Sequence, residues 1–124
     1  MKTFYTSNFK NIKNVEIPIA ISRKPPDWYK GTILKSLCPT WNLVADYKTG
    51  KISSTEYEER YKKELDKNGV DFQLLAETLP NNATFLCWET KNKFCHRQLI
   101  AKYLNDLTDI TILSKRKPLA LALG

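Results

Sequence analysis

The stretch Ala83-Thr84-Phe85-Leu86-Cys87-Trp88 decides the fold. It reads as a continuous apolar run, closed off by Pro80-Asn81-Asn82 before it and by the polar segment 89–93 after it. A short run without polar alternation suits a strand buried on both faces, as in the interior of a parallel sheet. Parallel neighbours need crossover connections, so helices are expected on either side of it in sequence.

Both flanks supply them. Downstream, Cys95 to about Asn105 is predicted helical, with Leu99, Ile100, Tyr103, Leu104 and Leu107 on one stripe. Ile110-Thr111-Ile112-Leu113 then reads as a last strand. Upstream, Asp71 can cap a short helix holding Phe72, Leu75 and Leu79. Ser53-Ser54-Thr55-Glu56 is a capping box that opens a helix to about Lys67, stopped by Gly69. A further helix from about Thr40 to Lys48 closes at Gly50. Consecutive prolines force a loop over Arg23-Lys24-Pro25-Pro26-Asp27-Trp28. Val15 to Ile21 and Thr3 to Thr6 read as strands. Pro18 lacks an N–H for the ladder, which places it at a sheet edge or a strand start. The sequence thus predicts an α/β fold with a mostly parallel sheet of about four strands, and ligands beyond the strands' carboxyl ends.

The chain has 124 residues, a length that fits one domain over 1–124, with a basic C-terminal tail at about 114–124. No apolar run approaches the roughly 20 residues that cross a bilayer, and Met1-Lys2-Thr3-Phe4-Tyr5 lacks the apolar core of a signal peptide. The expectation is a soluble, cytoplasmic protein with no membrane partner. Three cysteines without a signal peptide point to reduced thiols. The formal charge is +7, from 20 basic and 13 acidic side chains, and it is spread along the chain. Its densest group is Lys115-Arg116-Lys117. A nucleic-acid arm usually shows a denser basic block, so most of the surplus reads as solvated surface.

The predicted strand ends carry the chemistry. The first leads into Ser7, the second into Ser22 and Arg23, and the third into Cys87, Trp88 and Glu89. Six residues on, Cys95-His96-Arg97 open a helix. A helix N-terminus favours anions and lowers a thiol pKa, which makes Cys95 a candidate nucleophile. His96, the only histidine, is a candidate proton carrier near neutral pH, and Glu89 a candidate base or hydroxyl partner. Arg23 and Arg97 are candidates to clamp an anion. Tyr57 is a candidate to face a ligand, and Trp28, Trp41 or Trp88 to stack on a base. Against these roles stands burial as ordinary core and surface pairing. Arg97 follows Cys95 by two residues, which lacks the spacing of a cysteine-phosphatase loop. Cys87, Cys95 and His96 contain no Cys-x2-Cys pair, so neither a metal nor a cofactor is expected.

Several segments occur in a familiar order: Ile19-Ala20-Ile21-Ser22-Arg23-Lys24-Pro25-Pro26, Leu37-Cys38-Pro39-Thr40, Tyr47-Lys48-Thr49-Gly50-Lys51-Ile52 and Glu56-Tyr57-Glu58-Glu59-Arg60-Tyr61. Leu86-Cys87-Trp88-Glu89 and Phe94-Cys95-His96-Arg97-Gln98-Leu99-Ile100-Ala101 complete it. The whole resembles the "domain of unknown function 488" family of bacteria, archaea and phages. Cys38 and Trp88 depart from residues common there. The resemblance implies a small Rossmann-like three-layer domain with Arg23, Cys87, Glu89, Cys95, His96 and Arg97 around one site. It implies no reaction.

The expected function is binding of a small phosphate-bearing anion, a nucleotide or nucleotide-derived metabolite, at the strand rim. Arg23, Arg97, Ser22, Ser7, Cys87, Trp88 and Tyr57 form the expected binding set. Whether turnover by Cys95 with His96, or by Glu89, accompanies it is left open. The alternatives are a nucleic-acid-binding module and a phage-type protein that sequesters a host signalling nucleotide. Oligomeric state has no signature in the sequence.

Overall fold

The computed structural model describes residues 2–88 and 96–114. Its sheet has five strands: β1 (Thr3–Asn8), β2 (Ile17–Ala20), β3 (Thr32–Ile33), β4 (Ala83–Cys87) and β5 (Thr111–Ser114). They run parallel throughout in the order β3-β2-β4-β1-β5. The strand absent from the sequence reading is β3. Two exposed residues are too few to carry an apolar pattern. The run that decided the fold is β4, between β2 and β1, with all five residues buried.

The order of strands fixes the layers. Right-handed crossovers put connections that travel in opposite directions on opposite faces of the sheet. From β1 to β2 and from β2 to β3 the chain moves toward the β3 edge. From β3 to β4 and from β4 to β5 it moves back. The return connections hold all the α-helices of the described residues: α1 (Trp41–Lys48), α2 (Ser54–Lys67) and α3 (Phe72–Thr78) in the first, and α4 (His96–Leu107) in the second. They pack on one face, where Phe4, Ile19, Ile21 and Phe85 meet Leu43, Tyr61, Leu65, Ile100 and Leu104. The outward connection from β1 holds only a 3-10 helix, Phe9–Asn14, and a smaller cluster of Phe9, Ala20 and Leu86 lies on the other face. The fold is Rossmann-like α/β, with that 3-10 helix as its thin third layer.

Local chemistry sets the boundaries. Thr40, Ser53 and Asp71 cap α1, α2 and α3 through their side-chain oxygens, and Ser53 with Glu56 completes the capping box. Gly50 and Gly69 follow α1 and α2 at φ +80° and +71°, the left-handed conformation glycine adopts without a Cβ penalty. The Lys2 ammonium donates to the carbonyls of Ala76, Glu77 and Leu79 at 3.1, 2.7 and 2.7 Å, a cation at the negative end of α3. Pro18 is tolerated for a directional reason. The Ala20 carbonyl faces β3, where it accepts from the Leu34 N–H. Pro18 has the same parity, so its nitrogen faces the same side, and β3 pairs only with Ile19 and Ala20. One expectation fails: Leu107, placed on the buried stripe of α4, is 62% exposed.

Candidate functional site

Beyond the carboxyl ends of β2 and β4 the chain leaves in opposite directions, which opens a crevice between these adjacent strands. Such a switch point is where α/β sheets place their ligands. The Ile21 N–H donates to the Leu86 carbonyl at 3.0 Å and carries the ladder one residue past β2. Ser22, Arg23 and Lys24 then turn away into Pro25-Pro26. From the other side Trp88 leans across, its indole N–H donating to the Lys24 carbonyl at 2.8 Å and its ring edge on Phe9 at 5.3 Å. The first residue of α4, His96, closes the inner end by donating Nε2–H to the Ile21 carbonyl at 2.6 Å. Helix α1 forms the outer wall with Trp41, Val44, Tyr47 and Lys48, preceded by Pro39, and α2 contributes Tyr57.

These residues enclose a pocket of about 90 Å³. Its floor is buried and uncharged: Ser22, Tyr57 and His96 are 8%, 4% and 5% exposed. A carbonyl only accepts, so Nε2 carries the ring proton. Burial, reinforced by the nearby Arg97 charge, pushes the imidazole pKa from 6.5 to about 4 against the pull of the Ile21 hydrogen bond. His96 is therefore a neutral imidazole at physiological pH. The role of proton carrier near neutral pH, expected from the sequence, finds no support in a titration that burial depresses this far.

The rim is exposed and basic, with Arg23, Lys24 and Lys48. The Arg23 Nε–H donates to the Pro39 carbonyl at 2.8 Å, which fixes the guanidinium plane and leaves its terminal nitrogens without a partner among the described residues. Trp41 and Trp88 stand at the mouth, 60% and 51% exposed. Below them an aromatic ladder links Tyr47 to Tyr57 at 5.3 Å, Tyr57 to Tyr61 at 6.1 Å and Tyr61 to His96 at 5.8 Å. Tyr61 itself is core, its hydroxyl donating to the Leu37 carbonyl at 2.5 Å.

Of the residues singled out in the sequence, Ser22, Arg23, Trp41, Tyr57, Trp88 and His96 meet in this pocket, and Trp28 does not line it. Ser7, Cys87 and Arg97 do not line it. They form a separate buried node at the ends of β1 and β4, where Arg97 Nη1 donates to the Ser7 carbonyl at 3.1 Å and to the Cys87 sulfur at 3.2 Å. The expected clamp of two arginines is corrected accordingly, because strand register seats Arg97 between β1 and β4, one strand away. Glu89 and Cys95 lie outside the described residues. The expectation of reduced thiols holds at Cys38, a buried free thiol raised to about 11 by burial, against the nearby Arg23 and Lys35 charges.

The sequence reading missed Lys24, Pro39, Val44, Tyr47 and Lys48. A signal was present: Trp41, Val44 and Lys48 are spaced i, i+3, i+7 after the Thr40 cap and share one helical face. Among the described residues no helix is long and apolar enough to cross a membrane.

Fold and site together define an α/β domain with an all-parallel sheet and a pocket at its switch point. The chain belongs to the DUF488 family: the model DUF488-N3a, described as the active DUF488-N3 subclade, matches residues 9–108 and so takes in every residue of the pocket. No curated protein and no solved structure matches the chain.

Proposed function

We propose that this protein binds a small phosphate-bearing ligand, a nucleotide or nucleotide-derived metabolite, between the carboxyl ends of β2 and β4. The observation that carries the reading is the Arg23 guanidinium, pre-set by its bond to the Pro39 carbonyl beside Lys24 and Lys48 at the mouth of an aromatic pocket. A fixed fork loses little entropy on meeting a phosphate, and the neighbouring cations add attraction. The proposal is one of binding and assigns no reaction.

Calorimetry against nucleoside mono- and diphosphates tests it. Binding is expected, with a loss of roughly tenfold or more in Arg23→Ala, the scale of one hydrogen bond to a charged group. No heat from any phosphorylated ligand at millimolar concentration would remove the proposal.

A further inference from the structure

We infer that the pocket admits its ligand ring first: one planar, uncharged heterocycle enters to the floor, and the phosphates stay outside on the basic rim. The inference rests on the reading of a phosphate-bearing ligand and specifies which end of it is buried.

Charge is stratified with depth. The floor groups, Ser22, Tyr57 and His96, are all more than nine-tenths buried, and none is cationic. The cations Arg23, Lys24 and Lys48 are all exposed. Among the described residues the charge near the floor is Arg97, which does not line the cavity and is engaged by the Ser7 carbonyl and the Cys87 sulfur, so a phosphate there would shed its water without direct pairing, a cost of several kcal/mol. At the rim it keeps part of its hydration and gains three cations. The floor suits a ring edge instead. The Ser22 hydroxyl makes no hydrogen bond to the described residues and lines the cavity, so it has both donor and acceptor capacity left for a heterocycle.

Size points the same way. About 90 Å³ compares with the roughly 10–15 Å³ that one water requires, so the space holds a group of several heavy atoms, a ring and not a whole nucleotide. The walls match a ring face, since Trp41 and Trp88 come from different elements and flank the mouth over Val44 and Pro39. An aromatic cage for an alkylammonium is the competing use of such walls. The three rim cations repel that ligand.

The test titrates the protein by its tryptophan fluorescence with the four common nucleosides, their 5′-monophosphates, inorganic pyrophosphate and choline. At least one uncharged nucleoside is expected to bind and to compete with its own monophosphate. The monophosphate should bind more tightly, with an advantage that shrinks as salt rises and falls in Arg23→Ala. Trp41→Ala alters an exposed side chain, so its melting temperature should match the parent. It is expected to weaken nucleoside and nucleotide by the same factor, roughly fivefold to a hundredfold, the range of one base–aromatic stack. Ser22→Ala should change the ranking of the four nucleosides and leave the salt dependence alone.

Pyrophosphate that binds and displaces nucleotides, with no nucleoside binding, would place the anion at the floor and overturn the inference while sparing the proposed function. Choline binding in place of nucleosides would overturn it in favour of a cation cage. Silence from every probe would overturn both.

Discussion

Replacing Glu64 by Ala should cost about 2 kcal/mol of stability. Glu64 reaches from α2 to the start of α1, where Oε1 accepts from the Thr40 N–H at 2.9 Å and Oε2 from the Thr40 hydroxyl at 2.7 Å. Thr40 in turn caps α1 by accepting from the Leu43 N–H. One carboxylate thus binds both the cap residue and the positive end of the helix that walls the pocket. Each bond to a charged acceptor is worth about 1.5–3 kcal/mol when sheltered, and the half-buried position of Glu64 brings the pair down to the figure given. In a domain of this length the loss lowers the melting temperature by about 7 °C. Urea titration should show the same loss as a lower midpoint at constant slope. Thr40→Ala removes the cap and one of the two Glu64 bonds, so the variants share an interaction. The double variant should then fall short of the sum by about 1 kcal/mol, beyond the few tenths typical of independent sites. Additive losses would show that the carboxylate and the cap act separately, and a Glu64→Ala cost under half a kcal/mol would show that α1 is held by its core contacts alone.

Three further outcomes follow from the same structure. As the only histidine, His96 gives an unambiguous NMR titration, and its ring signals should stay constant from pH 8 to about pH 5. Because its pKa is depressed in the folded state, its contribution is complete above about 6.5 and is lost as pH falls toward 4, by roughly 3 kcal/mol in total; His96→Asn should flatten that slope, and a midpoint near 6.5 would contradict the burial. Tyr61→Phe strands the buried Leu37 carbonyl and should cost about 1–3 kcal/mol in denaturant titrations, whereas a neutral result would mean that water replaces the hydroxyl. At Gly69 an added Cβ meets nothing within 4 Å, so Gly69→Ala carries only the left-handed backbone penalty of about 1 kcal/mol while Gly69→Asn is milder; equal losses would point to a steric cause.

Where structure depends on neighbours in sequence, the residues announced it. Ser53 with Glu56, Asp71, Gly50 and Gly69 mark helix ends by bonds and dihedrals that span at most a few residues, and α2 begins and ends where they place it. The run Ala83–Cys87 was legible because a central parallel strand needs apolar side chains on both faces. The site was legible only in part, for the converse reason. Ser22, Arg23, Trp88 and His96 follow strands or open a helix, so a parallel sheet suffices to gather them. The wall on α1 depends on where a helix from another crossover comes to rest. Arg97 adjoins His96 in sequence but is aimed at Ser7 and Cys87, a separation created by strand order. That order, β3-β2-β4-β1-β5, has no local signature.

The dispersal of the pocket along the chain has a consequence for folding. Its sides come from residues 22–24, from 39–57, and from Trp88 and His96, and the strands beside them pair across long loops, Ile17 with Ala83 for example. Closing loops of that length is the slow, entropically costly part of reaching the native state. The cavity therefore exists only once β4 lies beside β2, and no fragment that lacks either side contains it. By mass action, anything that occupies the cavity holds all three segments together and raises the stability of the entire domain, so occupancy and global unfolding report on one equilibrium.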